Sequence, residues 1–319
     1  MSIEALCRAS PSLALIKYWG KKSGRRNLPA TASLAVTLGG LYTRTRVILD
    51  RQDSVTLDGV VQDPARFKQF FDRLRQKAGR SLHFRVESKN DFPTSAGLAS
   101  SSSGFAALAV GCTRAAGLEL DSRELSGLAR LGSVSAARSL FGGFTLLQAG
   151  AREARQLYGS GHWPELRIAI VLVSLEVKPI SSRGAMEATR ISSPYYRAWL
   201  RSASGLLEPA VEALRLRDLD VLGSLARLSY SRMHAALLAS DPPLIYWLPA
   251  TVAVIRECGL LREQGIGAWE TLDAGPQVKI LCLEPDLPRI RERITALDPE
   301  LKILVASPGE GPTCRVRGW

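Results

Sequence analysis

Four segments of this chain place reactive side chains where they could do chemistry. In "PSLALIKYWGKK" (11–22), Lys17 and Lys21 lie four residues apart, with Tyr18 and Trp19 between them and Gly20 free to turn sharply. At a strand end both ammonium groups could approach one phosphate, with the Tyr18 hydroxyl as a further donor. A strand end with an aromatic clamp is the plainer alternative. In "FPTSAGLASSSSGFAALAV" (92–110), four consecutive serines stand between two glycines and run into small apolar residues. Small side chains let backbone N–H groups approach an anion at a helix N-terminus, where the dipole favours negative charge. The spacing matches neither the common P-loop nor the dinucleotide fingerprint. By itself it leaves a phosphate cradle and a tightly packed loop–helix corner both open.

In "RLGSVSAARSLFGG" (130–143), Ser133 and Ser135 could cap a helix whose first turns present Arg138. Its guanidinium fork suits a carboxylate or a phosphate, unless the arginine is structural. In "WETLDAGPQVKIL" (269–281), Asp273 precedes Ala-Gly-Pro, a setting in which aspartate usually closes a local Asx turn.

The elements that must position these segments read as mixed sheet and helix. Alternating or β-branched runs predict strands at 43–50, 54–60 and 83–88, and Phe67, Phe70, Phe71 and Leu74 share one face of a helix over 64–79. Asp121 caps a short helix. The apolar run 166–177 predicts a buried strand. Helical patterns follow at 194–217 and 219–239, then at 243–259, where Gly259 suits a stop. A strand at 278–284, a helix at 286–297 and a strand at 302–308 complete an α+β pattern of helices on a small sheet. A soft boundary lies near 175–185.

Bulk properties narrow the function classes. A chain of 319 residues exceeds the roughly 250–300 residues at which single cores stop growing, which favours two packed domains. The net charge is +12, but Lys and Arg are spread in small groups such as "KKSGRR" and "RIRER". No concentrated basic stripe predicts nucleic-acid binding. The five cysteines are far apart with no close-spaced pair; this predicts neither a disulfide framework nor a zinc site, but buried thiols in a reducing compartment. The apolar run Leu13–Ile16 is too short for a signal-peptide core, and no stretch approaches the ~20 residues of a membrane span. A soluble, cytoplasmic protein is expected.

Taken in order, "LALIKYWGKK", "NLPATASLAVTL", "NDFPTSAGLASSSSGFAALA", "GSVSAARSLFGGF", "ISSRGAME" with "SPYY", "MHAALLASDPPLIYW" and "TLDAGPQ" resemble the diphosphomevalonate decarboxylases of the GHMP small-molecule kinase superfamily. The resemblance spans Leu13 to Gln277. It implies a two-domain GHMP kinase fold of the α+β class: an N-terminal domain with a left-handed βαβ crossover (1–178) and a ferredoxin-like C-terminal domain (179–319), with the site between them. It further implies a cytoplasmic homodimer that uses Mg-ATP to phosphorylate the tertiary hydroxyl of mevalonate 5-diphosphate. Loss of phosphate and carbon dioxide then gives isopentenyl diphosphate.

Carried over residue by residue, Asp273 is the catalytic aspartate that orients or deprotonates the hydroxyl, and Arg138 holds the substrate carboxylate. Lys17 stabilises the transferring phosphoryl charge or depresses the Asp273 pKa. Tyr18, Lys21, Ser133, Ser135 and Arg183 bind the diphosphate, with Ser182 and Met186 nearby. Ser95, Ala96, Gly97, Leu98, Ala99, Ser100, Ser101 and Ser103 cradle the ATP phosphates, and magnesium is held mainly through those phosphates rather than by a protein cage. The sequence departs from the family pattern at Ser12 and Thr31, where asparagine is usual, at Val134, where the middle glycine of "GSGSA" stands, and at Gln277, where "DAGPN" has asparagine. The rival readings are a mevalonate 5-phosphate decarboxylase or mevalonate 3-kinase of the same family, and a catalytically silent phosphate-binding homologue.

Overall fold

A computed structural model describes residues 3–22, 27–93, 100–176 and 180–318. The strands are β1 (Ile3–Ala9), β2 (Ser12–Ile16), β3 (Ser33–Gly39), β4 (Thr43–Asp50), β5 (Ser54–Leu57), β6 (Val60–Val61), β7 (His83–Asn90), β8 (Phe144–Leu147), β9 (Arg155–Tyr158), β10 (Leu166–Leu172), β11 (Trp269–Leu272), β12 (Val278–Leu283), β13 (Lys302–Pro308) and β14 (Thr313–Gly318). The helices are α1 (Lys68–Ala78), α2 (Ser100–Ala115), α3 (Ser122–Gly132), α4 (Ser182–Ser192), α5 (Tyr196–Ser204), α6 (Leu207–Leu216), α7 (Leu219–Leu238), α8 (Pro249–Glu263) and α9 (Leu287–Leu297).

Two sheets organise the molecule. One runs β14-β1-β4-β7-β5-β6, and the other β11-β12-β10-β13-β3-β8-β9, with β2 paired to β3. Alternation decides the faces of the first sheet: Thr43, Thr45 and Val47 of β4 are buried, while Arg44 and Arg46 face out. Its inner face packs Ala5, Val47, Phe84 and Val86 against Phe70, Phe71 and Leu74 of α1 and the small, buried side chains of α2. In the second sheet, Leu13, Leu34, Val36 and Ile168 meet Leu207, Leu214, Leu222 and Ala226 of α6 and α7. A separate aromatic cluster of Trp19, Met186, Tyr196, Trp199, Met233 and Tyr246 ties the end of β2 to α4, α5 and α7.

The mixed α+β architecture agrees with the sequence reading, and several boundaries move for local reasons. The run 54–60 breaks into β5 and β6 because Asp58 and Gly59 adopt positive φ and turn the chain. Strand β10 ends at Leu172, short of 177, and 194–217 divides into α5 and α6 around Gly205. Gly259 does not stop its helix. α8 starts at Pro249 and continues through Gly259 to Glu263, and the reversal comes at Gly265, whose φ of 77° suits a helix exit. Ser133 and Ser135 do not cap an α-helix either: Ser133 is the C-cap of α3, and Val134–Leu140 is a 3₁₀ helix without a side-chain cap.

The cysteine reading needs correction. Cys7 and Cys314 are directly opposed in the antiparallel β1–β14 pair and form a disulfide. Their separation of 307 residues hides from the sequence a proximity that strand pairing creates. Cys112, Cys258 and Cys282 are free and buried, as expected. Among the described residues, no helix is long and apolar enough to cross a membrane.

Candidate active site

Asp273 occupies the turn that joins β11 to β12. The Gly275 N–H donates to the Asp273 carbonyl at 2.9 Å, and the Thr251 hydroxyl donates to the Pro276 carbonyl at 2.8 Å. Gln277 fastens the far side: its amide oxygen accepts from the N–H groups of Val173 and Ser174, and its amide nitrogen donates to the Ser174 carbonyl. The departure from asparagine at this position therefore serves as a clamp between the turn and the end of β10.

Two buried lysines flank the carboxylate. Lys17, just beyond β2 and 1% exposed, places Nζ 2.8 Å from Asp273 Oδ1 and donates to the Ala14 carbonyl at 2.7 Å. Its backbone N–H donates to the Ser229 hydroxyl of α7 at 2.9 Å, which fixes the strand end against that helix. Lys279, on β12, lies 3.5 Å from Asp273 Oδ2. His234 of α7 sits with Nε2 3.2 Å from the Asp273 carbonyl oxygen, a contact that needs the proton on Nε2. The Asp273 side chain is 29% exposed, against 2% for both lysines, so the carboxylate is the member of this triad that opens outward.

Burial and charge set the protonation states. Burial alone would raise the Asp273 pKa, but Lys17, Lys279 and Arg138 together hold it below the ordinary carboxylate range. Burial lowers Lys17 to about 8 despite the opposing pull of Asp273, and it lowers His234 to about 4. At neutral pH the site thus holds a fixed anion, a cation close to giving up its proton, and a neutral imidazole. Such an anion is a strong acceptor for a substrate hydroxyl.

Arg138, in the 3₁₀ helix, is buried and held by serines. Nη1–H donates to the Ser33 hydroxyl at 2.7 Å and Nε–H to the Ser12 hydroxyl at 3.4 Å. Ser12 in turn donates its backbone N–H to Ser102 of α2 at 3.3 Å. Tyr18 and Asp273 both lie within electrostatic reach of this guanidinium.

Beside it runs a chain of hydroxyls. Ser101, in the first turn of α2, is 3.3 Å from Ser133, which is 3.0 Å from Ser135. Arg183 donates to the Gly132 carbonyl at 3.1 Å. Burial and the nearby Arg183 lower Lys21 to about 8, and burial raises the Tyr18 phenol to about 12, leaving it a protonated donor. The cluster offers hydroxyl, ammonium and guanidinium donors suited to phosphate oxygens. Val134 adds no polar group to it: its side chain packs in a small core with Ala137, Leu147 and Ala154, against which the ring of Tyr18 also rests. Thr31, the remaining departure, accepts from the Trp19 N–H at 3.1 Å.

Ser182 opens α4, whose N-cap Ser181 accepts from Gly184 N–H, and Met186 belongs to the aromatic cluster that Tyr18 borders. Ser95, Ala96, Gly97, Leu98 and Ala99 lie outside the described residues. Ser100 begins α2, whereas the buried Ser103 hydroxyl turns to Thr43 at 2.6 Å and to the Ser100 carbonyl at 3.3 Å. No acidic residue stands in the first turn of α2, and that helix start fits a polyphosphate. Among the described residues, no three His, Cys, Asp or Glu side chains gather to hold a metal.

Sequence reasoning missed Lys279, His234, Ser229 and Ser33. Lys279 had a signal, being the one charged residue in the apolar strand "VKILCL". Ser33 and His234 lay inside the family motifs "NLPATASLAVTL" and "MHAALLASDPPLIYW", and Ser229 had no signal.

Comparison with known proteins gives the arrangement its family. The model described as "Diphosphomevalonate decarboxylase-like N-terminal domain" matches residues 9–157. The diphosphomevalonate decarboxylase of Aspergillus fumigatus is 34% identical over 327 residues, covering 92% of this chain and 80% of that protein. The solved mevalonate diphosphate decarboxylase of Enterococcus faecalis superposes with a TM-score of 0.90 at 34% identity and 99% coverage of both chains. Another structure, MDDEF in complex with MVAPP, AMPPCP and magnesium, superposes with a TM-score of 0.92 at 35% identity, again over 99% of both chains. A turn aspartate between buried lysines, a serine-held arginine and a phosphate-type donor cluster thus sit on a chain that shares sequence and fold with these enzymes along nearly its whole length, and the chain belongs to the diphosphomevalonate decarboxylases.

Proposed function

We propose that this protein catalyses the ATP-dependent decarboxylation of mevalonate 5-diphosphate to isopentenyl diphosphate, releasing ADP, phosphate and carbon dioxide. The observation that carries the reading is the outward-facing Asp273 carboxylate, ion-paired to Lys17, with the buried Arg138 within electrostatic reach.

A tertiary alcohol leaves poorly, and ATP with magnesium supplies the phosphoryl group that makes it a good leaving group. Asp273 accepts the hydrogen bond of the substrate hydroxyl and aims its oxygen for transfer. Lys17 stabilises the negative charge in flight. Arg138 holds the substrate carboxylate, so the electrons of the C–C bond can relieve positive charge developing at C3 as phosphate departs. Tyr18, Lys21, Ser133, Ser135 and Arg183 take the diphosphate, with Ser182 and Met186 at its border, and the segment 95–101 takes the ATP phosphates, while Ser103, fully buried and bonded to Thr43, braces the start of α2 from behind rather than reaching the nucleotide.

The division into domains 1–178 and 179–319, a homodimeric state and a cytoplasmic location belong to the same reading, and they rest on the family resemblance in sequence.

The test measures phosphate and carbon dioxide separately from ATP, Mg²⁺ and either mevalonate 5-diphosphate or the monophosphate. The expected result is stoichiometric release of both from the diphosphate, with the higher kcat/KM for that substrate. D273N should lower turnover by about 10²–10⁴-fold while substrate affinity is kept. Phosphate release without carbon dioxide, or preference for the monophosphate, would overturn the reading.

A further inference from the structure

Lys279 is a lysine in a place built for an apolar side chain. It is 1% exposed, its β12 neighbours are Val278, Ile280 and Leu281, and its cross-strand partners are Ile170 and Thr271. Burying an ammonium inside a sheet is costly, and an apolar residue of similar length would fill the same space. The charge is directed to the site: Nζ lies 3.5 Å from Asp273 Oδ2, on the carboxylate edge opposite Lys17, and 3.5 Å from the Gln277 carbonyl of the same turn.

We infer that Lys279 is a positioning residue for the reaction, holding Oδ2 of Asp273 so that Oδ1 stays on Lys17 and the carboxylate presents one fixed orientation to the substrate hydroxyl. This rests on the role of Asp273 in the function proposed above. With Lys17 alone, the carboxylate could rotate about its last side-chain bond while keeping a single contact. A second cation on the other oxygen removes that freedom, and small errors in aim are expensive when the reacting oxygen must lie in line for transfer. Among the described residues, the groups that face the pair include Lys17 after β2, Lys279 on β12, Arg138 on the 3₁₀ helix and His234 on α7. Lys279 also disfavours the charged form of Lys17 across the carboxylate.

The experiment compares K279M, K279R and D273N with the unaltered protein. K279M should lower kcat by about 10- to 100-fold while KM for both substrates stays within about 3-fold. The alkaline limb of kcat should move to higher pH, because removing a neighbouring cation makes Lys17 harder to deprotonate. K279R, which keeps the charge, should leave the limb in place and restore most of kcat. A purely structural lysine would lower Tm without moving the limb. If K279M does not fold, K279Q supplies the same neutral comparison. Unchanged kcat in K279M, or an unmoved limb, overturns the inference provided D273N is inactive. Near-normal turnover in D273N overturns instead the role assigned to Asp273.

Discussion

Lys17 and Asp273 are 256 residues apart in the chain and 2.8 Å apart in the fold. One directly follows a strand paired into the second sheet and the other occupies a turn between two of that sheet's other strands. The Lys17 backbone is pinned to Ser229 of α7, and the same helix reaches the Asp273 carbonyl through His234. A single helix therefore sets both halves of the ion pair.

Burial lowers both Lys17 and Lys21 to about 8, so kcat/KM should fall above that pH as two ammonium groups are lost. K21M should leave a single ionisation. Stability changes the other way. Each lysine's folded pKa lies below its unfolded value of 10.5, so between about pH 8 and 10.5 the unfolded chain binds more protons and these groups make stability rise with pH. Profiles of kcat/KM from pH 6.5 to 9.5, run beside urea unfolding, separate the two effects. A profile flat to pH 9.5 would contradict the assignment.

His234 gives an acid-side signature. Its folded pKa of about 4 lies below the ordinary 6.5, so the unfolded chain takes up a proton that the folded one refuses. Stability from this group is complete above pH 6.5 and is lost as pH falls toward 4, with a slope of at most about 1.4 kcal/mol per pH unit. Asp273 adds little over most of that window, because its contribution falls only below about pH 5, as pH approaches its unfolded value of 3.8. H234Q should unfold in urea with a shallower dependence between pH 4 and 6.5. Equal slopes in H234Q and wild type would refute the prediction.

Gly20 has a φ of 95°, and the Tyr196 hydroxyl stands where a β-carbon on residue 20 would be. G20A combines a disfavoured backbone with a steric clash, and should cost about 2 kcal/mol or more. Since Gly20 separates Tyr18 from Lys21, KM for the phosphorylated substrate should rise several-fold. Y196F removes the clashing oxygen and should recover part of the loss in a double-mutant cycle. Strict additivity of the two substitutions would show that the contact is not what excludes a side chain.

The disulfide between Cys7 and Cys314 ties β14 to β1. Reduction should lower stability by about 2–5 kcal/mol and speed amide exchange in 313–318. A C7A/C314A protein should unfold at a temperature insensitive to reductant. A wild-type Tm unchanged by reductant would remove the stabilising role.

Much of the local structure was legible because the instructions are local. Alternation in "TRTRVILD" defined β4 to the residue, and Asp121 marked the start of α3, where the structure adds Glu124 as the other half of a capping box. Ordered motifs from Leu13 to Gln277 identified the family and pointed to Lys17, Arg138 and Asp273. Even a helix end could mislead: Gly259 and Gly265 look alike in sequence, but only Gly265 adopts positive φ, because the packing of α8 carries it past the first. What stayed hidden was pairing at a distance. Lys279 read as a lysine in a strand until β11 and β12 brought it to the other edge of Asp273, and Cys7 and Cys314 read as two lone thiols until β14 returned to β1. Side-chain periodicity determines which face a residue takes, whereas strand order, created only by the assembled sheets, determines what that face meets.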